Sequence, residues 1–399
     1  MRTLQSKQFG GILLISGTAI GVGMLAGPIA SGPSGIVAAL CSLFAIFSFT
    51  LAALFVFLEA LYFFDDTSIN LIGLCRKLAG SISESIAWTL FLSLLYVVSA
   101  AYISAIGGLI AQSNTALNPY STICGVTFTL ISACISILGM KWLDRANRVL
   151  TFSLFTIFII ISAKSSSQTT LANLAGGNPS LFIQSIPVII TAFTYQIILP
   201  SIRKYLDNNL IIIKRTILIG CLIPLIMYVI WHLVIFGLLP YEGTHSLATI
   251  LDSNSDQLAA MVTAINYHHN LSNFGSLIAL FSFFAISTSF WGVMISLTDF
   301  ISDGLELSTR KNGKAYALLL SYCPPILLTL FAGNNFVGFV KYAGIIILVL
   351  YGLLPTLLVW RGRYVYQYTS QYEFPGKKVG LLCIATLSLL LLITSLIYS

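Results

Sequence analysis

Apolar runs of about 20 residues, each long enough to cross a bilayer as a helix, alternate along the chain with short connections that hold nearly all of its basic residues. Lys and Arg concentrate in the cytoplasmic connections of membrane proteins, so the spacing of their clusters counts the helices between them. The clusters are Arg2/Lys7, Arg76/Lys77, Lys141/Arg145/Arg148, Arg203/Lys204/Lys214/Arg215, Arg310/Lys311/Lys314 and Arg361/Arg363/Lys377/Lys378, together 18 of the 20 basic residues. Neighbouring clusters are separated by 68, 63, 54, 94 and 46 residues, each room for two spans and a connection. After Lys378 the remaining 21 residues, nearly all apolar, make one more span.

The pattern therefore predicts eleven helices, at 9–31, 35–60, 85–111, 121–140, 147–163, 181–204, 214–239, 273–302, 315–332, 335–360 and 378–398, with the N-terminus inside and the C-terminus outside. The longest connection expected outside, 240–272, contains Glu242, Asp252 and Asp256 and neither Lys nor Arg, which fits that orientation.

Composition excludes a water-soluble alternative. Hydrophobic residues make up 57% of the 399 and charged residues 8%, against about 25% charged in a soluble domain, and the mean hydropathy is +0.93. The chain reads as an all-α polytopic membrane protein, a single transmembrane domain over 1–399. Its net charge of +7 sits in the topology-marking clusters, so no nucleic-acid partner is expected. The seven cysteines, at 41, 75, 124, 134, 221, 323 and 383, show neither CxxC nor Cys/His ligand spacing and predict no disulfide framework or zinc site. The apolar stretch after Arg2 and Lys7 runs too far, without a cleavage-like site, to be a signal peptide, and is expected to stay as the first helix.

Two of the expected helices are interrupted. The first carries Gly10, Gly11, Gly17, Gly21, Gly23, Gly27 and Pro28, a glycine density that weakens a helix and lets a ligand approach the backbone. Non-helical backbone at membrane depth survives only where it lines a cavity or is buried in protein, so an unwound Gly17–Gly23 implies a polar site. Close helix packing through Gly17 and Gly21 is the competing reading. The sixth helix has Pro187, then Thr191 to Gln196, then Pro200. The two breaks are five helices apart in chain order, and an odd offset inverts the second set. Paired breaks in inverted halves mark the substrate site of secondary transporters.

The chain resembles, over its whole length, the hydroxy and aromatic amino acid permeases, the tyrosine and tryptophan permease group of bacteria in the amino acid/polyamine/organocation superfamily. The residues that carry the resemblance are GGILLISGTAIGVGMLAGP (10–28), Glu59 closing the second helix, AYIS (101–104) followed by Gly107 and Gly108, LPSIRKY (199–205), TSFWGV (288–293) with Asp299 and Asp303 after it, and YAGIIILVLYGLLP (342–355). One departure is Thr194-Tyr195-Gln196-Ile197, where the family has a Gly-Phe-His-Gly-like stretch. The resemblance implies a LeuT-type fold: a 5+5 inverted repeat, with 9–163 and 181–360 as the two sets, helices 1 and 6 broken at mid-membrane, and 378–398 as a peripheral eleventh helix. It also implies proton symport.

An amino acid zwitterion loses water at both charged ends, so its site needs donors for the carboxylate and acceptors for the ammonium. N–H groups freed at a broken helix supply the donors, at the positive end of the half-helix dipole. The expected carboxylate cradle is Ala19, Ile20, Gly21, Val22 and Gly23, with Thr18 beside it among the substrate-binding residues; the resemblance puts the carboxylate against the Gly21-Val22-Gly23 backbone and carbonyls of helices 1 and 6 near the ammonium. Tyr102 is expected to close over the substrate, with Phe193, Thr194, Tyr195 and Gln196 facing an aromatic side chain and its polar tip. Ser287, Thr288 and Ser289, with carbonyls of Gly17 and Ile20, are where sodium-coupled LeuT relatives hold their ion. Hard oxygen ligands suit sodium, and the fifth helix has no lysine to replace it within 147–163. A Ser or Thr hydroxyl in a helix also bonds its own chain one turn back, so both coupling ions stay open.

Ionisable groups within spans are few. His232 beside Trp231 is expected at an interface, with proton coupling as the alternative; Glu59 is expected to pair with a cytoplasmic base or to cap the bundle; Lys341 is expected to reach water near its helix end, with gating as the alternative. His268 and His269 have no carboxylate or cysteine spaced for a metal and are expected to be solvated. No TVGYG-type filter, no Walker GxxxxGK[ST] and no catalytic constellation is present, which argues against a channel, an ATP-driven pump and a membrane enzyme. The expectation is a monomeric secondary transporter in the bacterial inner membrane, importing an aromatic amino acid, tyrosine before tryptophan, with the lipid bilayer as its surroundings. No cofactor is expected beyond a coupling ion, H+ first and Na+ as the alternative.

Overall fold

A computed structural model describes all residues except 1, 139, 166–167, 252–255, 270–271, 311, 334 and 399; the side chains of 2–5, 115, 138, 140–148, 272–273 and 308 are also left aside. Among the described residues the fold is helical throughout. In chain order the helices are α1 (Arg2–Ala19), α2 (Val22–Ser31), α3 (Ile36–Leu61), α4 (Leu71–Ala79), α5 (Ser81–Gln112), α6 (Ser121–Leu138), α7 (Met140–Ser165), α8 (Ile186–Ala192) and α9 (Leu199–Tyr205). They continue as α10 (Leu210–Leu238), α11 (Leu247–Leu251), α12 (Gln257–His269), α13 (Ser272–Gly304), α14 (Gly313–Ala332), α15 (Phe336–Ile347), α16 (Leu354–Trp360) and α17 (Lys377–Ile397).

Nine helical stretches among the described residues are long and apolar enough to cross a membrane, and the pair α1–α2, bent by 44°, makes a tenth. A shorter apolar helix, Val149–Ser165, falls where the fifth span was expected. The chain is thus a multi-pass membrane protein. Three helix starts are fixed by short polar side chains that accept the unpaired N–H groups of a first turn: Asn70 from Gly73, Asn209 from Ile212 and Asn335 from Gly338.

Glycines let backbones meet. Gly107 of α5 lies against the Ser121 carbonyl of α6, and Gly125 of α6 against the Ile103 carbonyl of α5, leaving no room for a side chain at either. Small residues at such crossings supply the packing that lipid-facing apolar surface cannot. Beyond α2, the Asn178 N–H donates to Pro33 O at 3.0 Å, so the turn after α2 is stitched to the segment leading into α8.

The span before α17, Phe336–Val365, is not a uniform α-helix. Residues Leu348–Leu353 and Arg361–Val365 are π-helical, each holding one residue more per turn than its α-helical neighbours. The second π turn carries Arg363, whose guanidinium grips both carboxylate oxygens of Glu59, through Nε and, at 2.6 Å, through Nη2. The Phe374 N–H donates to the same carboxylate at 2.7 Å. Glu59 therefore does pair with a base, and α3 is clasped to the end of the tenth span.

Connection 240–272 contains two helices, α11 and α12, with an apolar face that includes Leu247, Ile250, Leu258, Met261 and Ile265 buried against the bundle. Asp252 lies outside the described residues. Asp256 starts α12: its Oδ1 accepts from the Leu258 and Ala259 N–H groups at 3.1 Å each, and its Oδ2 from Ser104 Oγ of α5 at 3.3 Å. That carboxylate is buried, and burial pushes its pKa up to about 7. His269 is tied down as well, by Leu238 O at 2.6 Å and Gln168 Oε1 at 3.2 Å, rather than solvated; His268 is exposed.

Candidate functional site

The interruption of the first span is shorter than the glycine pattern suggested. Helix α1 continues through Gly17 and Thr18 to Ala19, only Ile20 and Gly21 leave helical geometry, and Val22 opens α2. No side chain caps the start of α2, so the N–H groups of Val22 and Gly23 in its first turn have no carbonyl one turn behind to bind. The sixth span breaks at Phe193 and Thr194, between α8 and a 3-10 turn over Tyr195–Ile198 that leads into α9. Pro187 and Pro200 stand at the starts of α8 and α9, where a missing N–H costs nothing.

The two breaks face each other. A Cβ on Gly23 would collide with the backbone of Ala192, so α2 and α8 touch there main chain to main chain. Across the gap stands Tyr228 of α10, fully buried, its hydroxyl donating to Ala19 O and, at 2.9 Å, to Ala192 O. These are the last carbonyls of α1 and α8. Each lies at the negative end of a half-helix.

Around Gly21 the surroundings are polar: a Cβ there would lie 2.6 Å from Ser289 Oγ of α13 and 3.6 Å from the Tyr102 hydroxyl of α5. Ser289 Oγ is 3.5 Å from Ile20 O. The structure thus brings together Ala19, Ile20, Gly21, Tyr102 and Ser289, with Val22 and Gly23 opening α2 beside them.

Other expected members are committed elsewhere. Thr18 is exposed and its hydroxyl bonds Leu14 O at 2.7 Å. Thr288 donates to Ala285 O of its own helix at 3.0 Å, and Ser287 Oγ is buried without a partner among the described residues. Gly17 is exposed and has open space where its side chain would be.

In the sixth span, Phe193 is enclosed by Phe47 at 5.4 Å, Tyr228 at 5.3 Å and Tyr195 at 6.2 Å between ring centres. Thr194 Oγ1 donates to Thr191 O at 2.7 Å. Tyr195 and Gln196 both turn to Thr50 of α3, the tyrosine hydroxyl to Thr50 Oγ1 at 3.1 Å and the Gln196 amide to Thr50 O at 3.2 Å. Gln196 keeps a buried Oε1 with no partner among the described residues.

This geometry, two interrupted helices meeting inside a bundle of apolar spans, is joined by a match along the chain: residues 4–395 fit the model of the tryptophan/tyrosine permease family. The chain belongs to that family. Three Haemophilus influenzae proteins are among its similar relatives. Tyrosine-specific transport system 1 is 30% identical over 97% of this chain and 96% of its own length. Tyrosine-specific transport system 2 is 27% identical (95% and 93%), and a tryptophan-specific transport protein 26% identical (92% and 90%). The permease is accordingly a transport protein and not an enzyme.

Two residues of this permease escaped the sequence reading. Tyr228 lies in an uninterrupted apolar helix with nothing in its neighbours to mark it. Asp256 stands out in the sequence only as an acid of the longest connection, and is buried. His232, one turn beyond Tyr228, is also buried rather than interfacial: its Nδ1–H donates to Tyr228 O at 2.7 Å, and its ring sits against Gly27 of α2. The signal available for all three was weak, a polar side chain inside or beside an apolar run.

Proposed function

We propose that this permease imports an aromatic amino acid, tyrosine first and tryptophan second, across the bacterial inner membrane by proton symport with alternating access. The observation that carries the reading is the meeting of the two breaks, with the carbonyls of Ala19 and Ala192 converging on one point. The substrate carboxylate lies at the first turn of α2, on the Val22 and Gly23 N–H groups, and its ammonium at the Ala19 and Ala192 carbonyls. Tyr102 closes over it from α5. Its ring packs towards Phe193, and the free Oε1 of Gln196 accepts from a phenol or indole tip. The relatives' names support this class of substrate.

The arrangement is read as a LeuT-type 5+5 inverted repeat, 9–163 and 181–360, with 378–398 peripheral, the N-terminus cytoplasmic, the C-terminus outside and the monomer as the working unit. Breaks in the first helix of each set support it. Sodium is the second reading, favoured by Ser289 Oγ beside Ile20 O. The bonding of Thr288 within its own helix weighs towards protons.

Uptake of a panel of radiolabelled amino acids into proteoliposomes tests both parts. Expected is preference for tyrosine, driven by an inward pH gradient in sodium-free buffer and abolished by a protonophore. Strict sodium dependence would overturn proton coupling, and uptake of none of the aromatic amino acids would overturn the substrate.

A further inference from the structure

Ala19 O and Ala192 O come from positions 173 residues apart in the chain and are the terminal carbonyls of two half-helices, each left without an intrahelical N–H. Both point at the same hydroxyl, that of Tyr228. A phenol has one proton to give, so the two carbonyls share it and neither is fully satisfied. Two converging, electron-rich oxygens at negative helix ends form a cation site, occupied here by a neutral group.

An ammonium suits that pair better than a phenol does. It has three N–H donors and a full positive charge, and charge-assisted hydrogen bonds are roughly twice as strong as neutral ones. The Tyr228 ring is held independently of its hydroxyl, 5.3 Å from Phe193 in a buried aromatic cluster, so loss of the hydroxyl bonds need not dislodge the side chain.

We propose that the Tyr228 hydroxyl is an internal stand-in for the ligand's ammonium: it holds the carbonyls of Ala19 and Ala192 while the site is empty, and a primary ammonium displaces it. This rests on the amino-acid site described above and deepens it. Tyr228 then determines specificity in a way direct contact would not. A ligand without an amine gains nothing from displacing the hydroxyl, and an amine gains only the difference between its own bonds and those it breaks.

The test compares Tyr228→Phe with wild type in detergent, measuring binding of L-tyrosine, L-tryptophan and 3-(4-hydroxyphenyl)propionate, which lacks the amine. With the stand-in removed, the empty site leaves two acceptors unsatisfied, so affinity for the amino acid bound by wild type is expected to rise about tenfold. Affinity for the amine-free acid is expected to stay unchanged. Weaker or unchanged amino-acid binding, or an equal shift for both ligand types, overturns the proposal and leaves the amino-acid site standing. Binding of no amino acid by wild type overturns both. If Tyr228→Phe does not fold, Tyr228→Leu carries the same comparison, and failure of both to fold makes the hydroxyl a structural bolt and overturns the stand-in.

Discussion

Gly23 of α2 and Ala192 of α8 approach so closely that a methyl group on the glycine would fall on the alanine's backbone. Backbone cannot move aside as a side chain can. The contact fixes how the first break sits against the second, and it separates the roles of the two glycines that the sequence presented as one motif.

Gly23→Ala is expected to drive α2 from α8 and lower the thermal unfolding temperature, at a cost of about 1–3 kcal/mol for overpacking. Gly21→Ala meets side chains alone, Ser289 Oγ at 2.6 Å, Ser289 Cβ at 3.3 Å and the Tyr102 hydroxyl at 3.6 Å, and these give way more easily than backbone. It is expected to fold normally and to bind L-tyrosine roughly tenfold more weakly, because the added methyl group narrows the space between Ser289 and Tyr102 that the ligand is proposed to occupy. Equal thermal stability of the two variants would contradict this division.

Acid should tighten the fit of α12 on α5. The Asp256 carboxyl has its pKa raised to about 7 where it is buried, and returns to about 4 once water reaches it. The docked state therefore binds the proton more strongly, so docking is most stable below pH 4 and weakens as pH rises through 7. Hydrogen exchange of the α12 amides, corrected for intrinsic rates, should show greater protection at pH 5 than at pH 8. Asp256→Asn keeps an acceptor for Leu258 and Ala259 and a donor for Ser104, so protection should persist with the pH difference gone. An unchanged pH difference in that variant would assign it to another group.

Much of the span pattern could be read from the chain, because basic residues and apolar length are set by the membrane itself and need no tertiary contact to express. The breaks were visible for a similar reason: Gly21, Gly23, Pro187 and Pro200 alter the local backbone wherever they occur. What could not be read depends on distance in sequence. Tyr228 matters through carbonyls 209 and 36 residues away, and Asp256 through Ser104, 152 residues away. Thr288 looked equally eligible to bind a cation or its own helix, and its 3.0 Å bond to Ala285 O is a rotamer choice that spacing along the chain does not reveal.

Arg203 should prove among the least replaceable residues. Buried at the end of α9, it donates to Leu61 O at 2.7 Å, Phe64 O at 2.6 Å, Asp66 O at 3.3 Å and Asn208 Oδ1 at 2.8 Å. Arg203→Gln strands most of these acceptors, and at about 1–3 kcal/mol for each buried one a loss of about 3 kcal/mol or more is expected. Arg203→Lys should recover only part, since an ammonium lacks the planar fork. Thermal denaturation of the three proteins side by side would show the order, and near-identical midpoints would remove the arginine from the list of anchors.

Sidedness can be checked at two exposed residues in a cysteine-free background. A cysteine at Glu242, in the connection before α11, should react with an impermeant thiol reagent added outside cells, and one at Asn312, before α14, should react only after permeabilisation. Labelling of both from the same side would contradict the proposed orientation.

The π turn at 348–353 has a consequence for how this chain tolerates insertions and deletions. One surplus residue is absorbed there without breaking the helix, and everything beyond it is turned by about 100° relative to a continuous α-helix. Gly344 ahead of it faces the Pro187 carbonyl, while Gly352 within it faces Ser388 of α17. Deleting a single residue from 348–353 would restore α-helical geometry there and swing Arg363 about a quarter turn away from Glu59. A change that improves local regularity would thus unlatch a clasp ten residues further on, so the irregular turn acts as the phase setting of the whole tenth span.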